Sequence, residues 1–233
     1  VAQNADPSVS ALDAFEAHRA FGRRFEPPQP FPGPSLAARR PGRLRIGYVS
    51  ADFRAHALAA FVEPVFTHHD RSRFEIAAYS NTPAEDVTTA RMRAIVERFV
   101  PVAGLSDAQL VERIRADGVD VLVDLSGHTA GNRLLAFVRR AAPVQVTWLG
   151  YPNTTGLSSM DFRLTDARAD PPGAESLHTE QLVRLPTAWC YRPWTDAPAV
   201  AARRADPGAI VFGVMNNPAK SNDVLFDAWA RLV

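Results

Sequence analysis

From Leu44 onward, short apolar runs rich in β-branched residues alternate with amphipathic stretches of helical length, and few folds accept that rhythm. Strands are expected at Leu44–Ser50 (LRIGYVS), Phe74–Ser80 (FEIAAYS), 119–125 (VDVLVDL) and 144–149, then at 162–165, 182–185 and 210–215 (IVFGVM). Helices are expected at Ala57–His68, 84–99, 107–117, 133–140 and 222–232. Ser106 before Asp107 marks a helix start, and Gly118 a stop. Strands that are apolar on both faces need cover on both, and the intervening helices supply it. The expected class is α/β, with βαβ units and a mainly parallel sheet.

Composition narrows the function classes. The chain has 233 residues, room for one large domain or two small ones, with 46% hydrophobic and 22% charged residues. Lys and Arg number 26 against 25 Asp and Glu, so charge predicts neither a nucleic-acid nor a membrane partner. A single cysteine, Cys190, rules out an internal disulfide and a cysteine-rich metal site, and fits a reducing compartment. No apolar run reaches membrane-spanning length, and the opening VAQNADPSVS lacks a signal-peptide core, so a cytoplasmic location is expected. A helical pattern over 10–25 leads into the proline-rich 27–34, and a polar link over 195–207 precedes a last strand and helix. This divides the chain into 1–40, 41–194 and 195–233, the last expected to open a second domain. The start without Met and the end inside a helical pattern suggest a piece of a longer protein.

Polar clusters follow four expected strand ends: SADFRAH (50–56), DLSGHT (124–129), GYPN (150–153) and NNPAK (216–220). Parallel strands point their ends one way, so the first three should meet on one rim. Asp52 and His56 stand four apart at a strand-to-helix turn, where a carboxylate can set an imidazole's tautomer or simply cap the helix. Asp124 interrupts an apolar strand, and His128 follows it by four; buried, that carboxylate needs a partner, whether functional or structural. His68, His69 and Asp70 suit a helix end, and His178 sits in a polar loop. His18, between Phe15 and Phe21 on the leading helix, reads as a satisfied interface histidine. Lys220 is the only lysine, placed to neutralise a phosphate or to stand on the surface. No glycine-rich dinucleotide fingerprint, Walker motif or nucleophile elbow is present.

Taken together, RLRIGYVSADFRAHALAAF, VDVLVDLSGHTAGNRLLAF, APVQVTWLGYPNTTGLSSMDFRLTD and FGVMNNPAKSND resemble the O-linked N-acetylglucosamine transferase family, in the family's order. The resemblance implies a glycosyltransferase-B architecture with Rossmann-like lobes, usually preceded by tetratricopeptide repeats. This chain would hold the N-terminal lobe with its leading helix and the first β-α of the C-terminal lobe. It implies inverting transfer of GlcNAc from UDP-GlcNAc to Ser or Thr hydroxyls of a protein acceptor, with no cofactor and no essential metal. Catalytic roles are implied for His18, Asp52, His56 and Lys220. Substrate contacts are implied for Leu149, Gly150 and Pro152 beside the donor sugar and for Asn217; Asp124, Gly127, His128 and Tyr151 join them as expected site residues. The 150–152 loop is expected to face His56. Two departures, Ala57-Leu58 after His56 and Ala219 before Lys220, leave O-fucosyl or N-glucosyl transfer as alternatives, with a non-catalytic binding module beside them. Because most uridine and ribose contacts in this family come from the C-terminal lobe, the chain alone is expected to be inactive.

Overall fold

In a computed structural model, β1 (Leu44–Ser50) pairs with β2 (Phe74–Ser80), and β2 with β3 (Arg98–Pro101). On its other side β1 pairs with β4 (Val121–Asp124), followed outward by β5 (Val144–Trp148), β6 (Phe162–Asp166) and β7 (Gln181–Leu185). Every pairing is parallel. The structure describes residues 6–38, 41–193, 197–200, 208, 211–215 and 218–232. The chain divides into two compact units, 11–192 and, separately, 1–10 with 193–233.

Strand periodicity sorts the core into two layers. Ile46, Tyr48, Ile76, Ala78 and Val123 face one side, where α2 (Ala57–His68) and α3 (Val87–Ile95) deliver Leu58, Val62, Phe66 and Met92. Val49, Ala77, Tyr79 and Leu122 face the other, where α4 (Asp107–Ala116) and α5 (Leu134–Val138) deliver Leu110, Ile114 and Phe137. A fully enclosed side chain such as Phe66 contributes about 2–3 kcal/mol of burial. The leading helix α1 (Ala11–Phe25) belongs to the same unit as the sheet. Ser106 caps α4 in a reciprocal box with Gln109, and Gly118 follows that helix with φ 66°.

Local details depart from expectation. The helix expected over 84–99 stops at Ile95, and Arg98–Pro101 forms the edge strand β3. Four residues are too few to show a period, and it is β2 that makes them a strand. The helices expected over 133–140 and 222–232 shorten to Leu134–Val138 and α6 (Asp223–Ala230). The strand expected over 210–215 is absent: residues 211–215 are irregular and exposed, and Ile210 lies outside the described residues. An apolar run becomes a strand only beside a partner, and 211–215 pair with none of the described residues. No described helix is long and apolar enough to cross a membrane.

Candidate functional site

The chain leaves β1 toward β2 and β3, then returns through α4 to β4 on the opposite side of β1. At such a reversal the loops after the two strands diverge, and a crevice opens at their carboxyl ends. A cavity of about 520 Å³ lies there, walled by Asp52, Arg54 and His56 after β1, Asn81 after β2, and Thr129 and Gly131 after β4. His56 Nδ1 stands 3.9 Å from Asp52 Oδ2. The helix cap is His56, not Asp52: its Nδ1 accepts the Leu58 N–H at 3.2 Å. In the neutral ring the proton therefore sits on Nε2. Asp52 is largely sheltered, and its Oδ1 accepts from Arg54 at 3.3 Å.

The loops after β4 and β5 interlock. A Cβ on Gly150 would lie 1.8 Å from the Leu125 carbonyl oxygen, and one on Gly127 would lie 2.3 Å from Tyr151 Cβ. Leu149 has φ 72°, and the Gly150 N–H closes back on the Trp148 carbonyl at 2.9 Å. That three-residue turn is strained for a leucine, and it ends β5 one residue before the expected limit. Beneath the joint lies Asp124, only 1% exposed. Its carboxylate accepts from the Ser126 N–H at 3.1 Å, the Gly127 N–H at 2.8 Å and the hydroxyl of Thr147, its partner across the ladder, at 2.9 Å. Burial raises its pKa despite these donors. Asp124 thus reaches a ligand only through the turn it holds.

Helix α1 closes on this joint through two glycines. Cβ atoms on Gly22 and Gly156 would come within 2.1 Å of the Gly156 oxygen and 2.0 Å of the His18 oxygen. The contact delivers His18, whose Nδ1 donates to the Ala14 carbonyl and whose Nε2 therefore accepts from the Tyr151 hydroxyl at 2.8 Å. His128 donates from Nε2 to the Thr155 carbonyl at 2.8 Å. The rings of His18 and His128 meet edge-on at 4.9 Å, each about 5.5 Å from Tyr151. Burial lowers the pKa of both imidazoles below the ordinary histidine value of about 6.5. Between those lowered values and 6.5 the unfolded chain binds more protons, so stability rises with pH across the window and is lost below it. Melting temperature is expected to fall from about pH 7 to about pH 5, and H18Q should flatten that slope in a calorimetric pH series.

The structure brings together His18, Gly127, His128, Gly150 and Tyr151, and separately Asp52 with His56. The 150–152 loop does not line the cavity holding His56; Tyr151 turns inward (4% exposed), Gly150 packs on Leu125, and Pro152 is exposed. Lys220 is exposed at the end of a single turn, Pro218–Lys220, in the other unit. Asn217 lies outside the described residues. Two buried anchors went unread in the sequence. Arg163 donates to the carbonyls of Tyr151 and Asn153 at 3.1 Å, and Glu180 accepts from Thr154 and Thr155. A signal existed for the first: Arg163 stands inside an apolar strand and needs a partner, which is Asp170 at 3.0 Å. Among the described residues, no cluster of three His, Cys, Asp or Glu is placed to hold a metal ion.

Comparison with known proteins places this geometry. Residues 27–192 match the profile described as Glycosyl transferase family 41. A tomato (Solanum lycopersicum) protein, probable UDP-N-acetylglucosamine–peptide N-acetylglucosaminyltransferase SPINDLY, is 42% identical over 94% of the chain and 24% of its own length. The Arabidopsis thaliana protein SEC, carrying the same probable activity in its name, is 31% identical over the whole chain and 26% of its own length. The chain thus spans about a quarter of these relatives. A solved structure of a mutant Thermobaculum terrenum O-GlcNAc transferase superposes with TM-score 0.91 and 40% identity, over 98% of this chain and 44% of that one.

Proposed function

Because the chain belongs to glycosyl transferase family 41 and has its glycosyltransferase-B type of sheet, we propose that it serves as the N-terminal lobe, with the start of the C-terminal lobe, of a protein O-GlcNAc transferase. In this reading GlcNAc passes from UDP-GlcNAc to a Ser or Thr hydroxyl of a protein or peptide in the cytoplasm, with inversion and without an essential metal. The observation that carries it is the Asp52–His56 pair in a cavity at the sheet's switch point. Inversion requires the acceptor oxygen and the departing UDP on opposite faces of the anomeric carbon. It also needs a sink for the hydroxyl proton and a cation for the leaving diphosphate.

The hydrogen bonds support one division of these tasks. His18 Nε2 is taken by Tyr151, and His56 Nδ1 by the α2 cap, so each neutral ring already has its acceptor nitrogen engaged. His56 is left with an Nε2–H to donate toward a substrate oxygen. Asp52, whose Oδ2 accepts no close hydrogen bond from these groups, is the side chain we assign to receive the acceptor's proton. Lys220 supplies the charge for the leaving group, as the family resemblance implies.

The test is transfer by the intact protein to an acceptor protein from a panel of UDP- and GDP-sugars. UDP-GlcNAc is expected as donor, with H56A and K220A each losing about 100-fold or more in kcat/KM. Transfer from another sugar alone would replace the donor. Wild-type rates in both variants would overturn the roles assigned to His56 and Lys220, and a protein that transfers no sugar from any donor would favour a non-catalytic module.

A further inference from the structure

Glu180 is 4% exposed and has no place in any motif of the sequence, yet it anchors the loop after β5. Its Oε1 accepts the Thr155 N–H at 2.7 Å and also the Thr155 hydroxyl; its Oε2 accepts the Thr154 hydroxyl at 2.7 Å. Holding Thr155 at both N–H and hydroxyl orients that residue, and its carbonyl is the acceptor for His128 Nε2. A carbonyl only accepts, so the proton of the neutral His128 ring must sit on Nε2, leaving Nδ1 as the acceptor.

We propose that Glu180 is a positioning residue that, through Thr155, fixes the tautomer and orientation of His128 beside His18 and Tyr151. Two alternatives fail. A capping role is excluded because Thr154 and Thr155 begin no helix. A ligand contact is opposed by the enclosure of Glu180 and by donors already on both of its oxygens. What the carboxylate does touch is the backbone that sets the ring. Gln in its place offers one carbonyl oxygen to three donors and sets an NH₂ group against them, so the loop must shift.

The consequence for turnover rests on the transferase reading, whereas the tautomer does not. The experiment is long-range proton–nitrogen correlation spectroscopy of the intact protein with labelled histidine, alongside transfer kinetics. Wild type should show His128 as the Nε2–H tautomer alone. E180Q should show a mixture of both tautomers and a kcat lower by about tenfold, with KM for the donor within about twofold. T155S, which keeps the hydroxyl, should match wild type, and T155V, which removes it, should fall between wild type and E180Q. If E180Q does not fold, T155V against T155S decides. An unchanged His128 spectrum in E180Q, or in T155V where E180Q is unfolded, overturns the proposal, as does a T155S variant as impaired as T155V. A wild-type protein that transfers no sugar overturns the transferase reading instead, and the spectra still decide this one.

Discussion

Gly150→Ala is expected to lower the unfolding free energy by about 3 kcal/mol or more and to abolish any transfer by the intact protein. The new Cβ would fall 1.8 Å from the Leu125 oxygen, 2.5 Å from its carbon and 2.9 Å from the Ser126 nitrogen. All three are backbone atoms, so no rotamer change relieves the clash. The Leu125 N–H is itself held by the Val49 carbonyl, at the end of the sheet's central pairing. Relief therefore has to come from the β5 loop, which would back away and take Tyr151 from His18. For a unit of this size the melting temperature should drop by about 10 °C in a thermal scan. A melting temperature within about 2 °C of wild type would show that the two loops are not joined as described.

Asp124→Ala should cost nearly as much, about 2–4 kcal/mol, by a different route. It strands the Ser126 and Gly127 N–H groups and the Thr147 hydroxyl in a space closed to water. Asp124→Asn should cost about half that, since its oxygen keeps part of the set. The pH series separates the two effects. Burial raises the folded pKa of Asp124 above the ordinary carboxylate range, so the folded state binds more protons just above that range, and stability contributed there is lost as pH rises through the folded pKa. Asp124→Asn removes that slope. Denaturant unfolding at several pH values reads both the loss and the slope, and equal stability of all three proteins would sink the assignment.

Much of the frame was legible in the residues. LRIGYVS and FEIAAYS became β1 and β2 over the expected ranges, because a short, continuously apolar, β-branched run is a property of a short window. The Ser106 cap was equally local. What went wrong is what no window contains. Arg98–Pro101 is a strand because β2 lies beside it, and residues 211–215 are not one because none of the described strands does. The cap on α2 fell to His56 and not to Asp52, a choice that one hydrogen bond to Leu58 settles.

The candidate site divides along the same line. GYPN was rightly placed at the end of a parallel strand, since a loop that must leave a sheet there advertises itself in composition. Which way Tyr151 turns, and that Asp124 serves the turn above it, depended on partners far along the chain. His18 and Tyr151 are 133 positions apart, and Glu180 reaches His128 only through Thr155. Hydrophobic burial is non-directional and sums over any apolar surface, so sequence by itself determined the α/β order and the rim where the loops gather. Buried polar groups need particular partners at hydrogen-bond distance, and only the tertiary structure decided which residues those are.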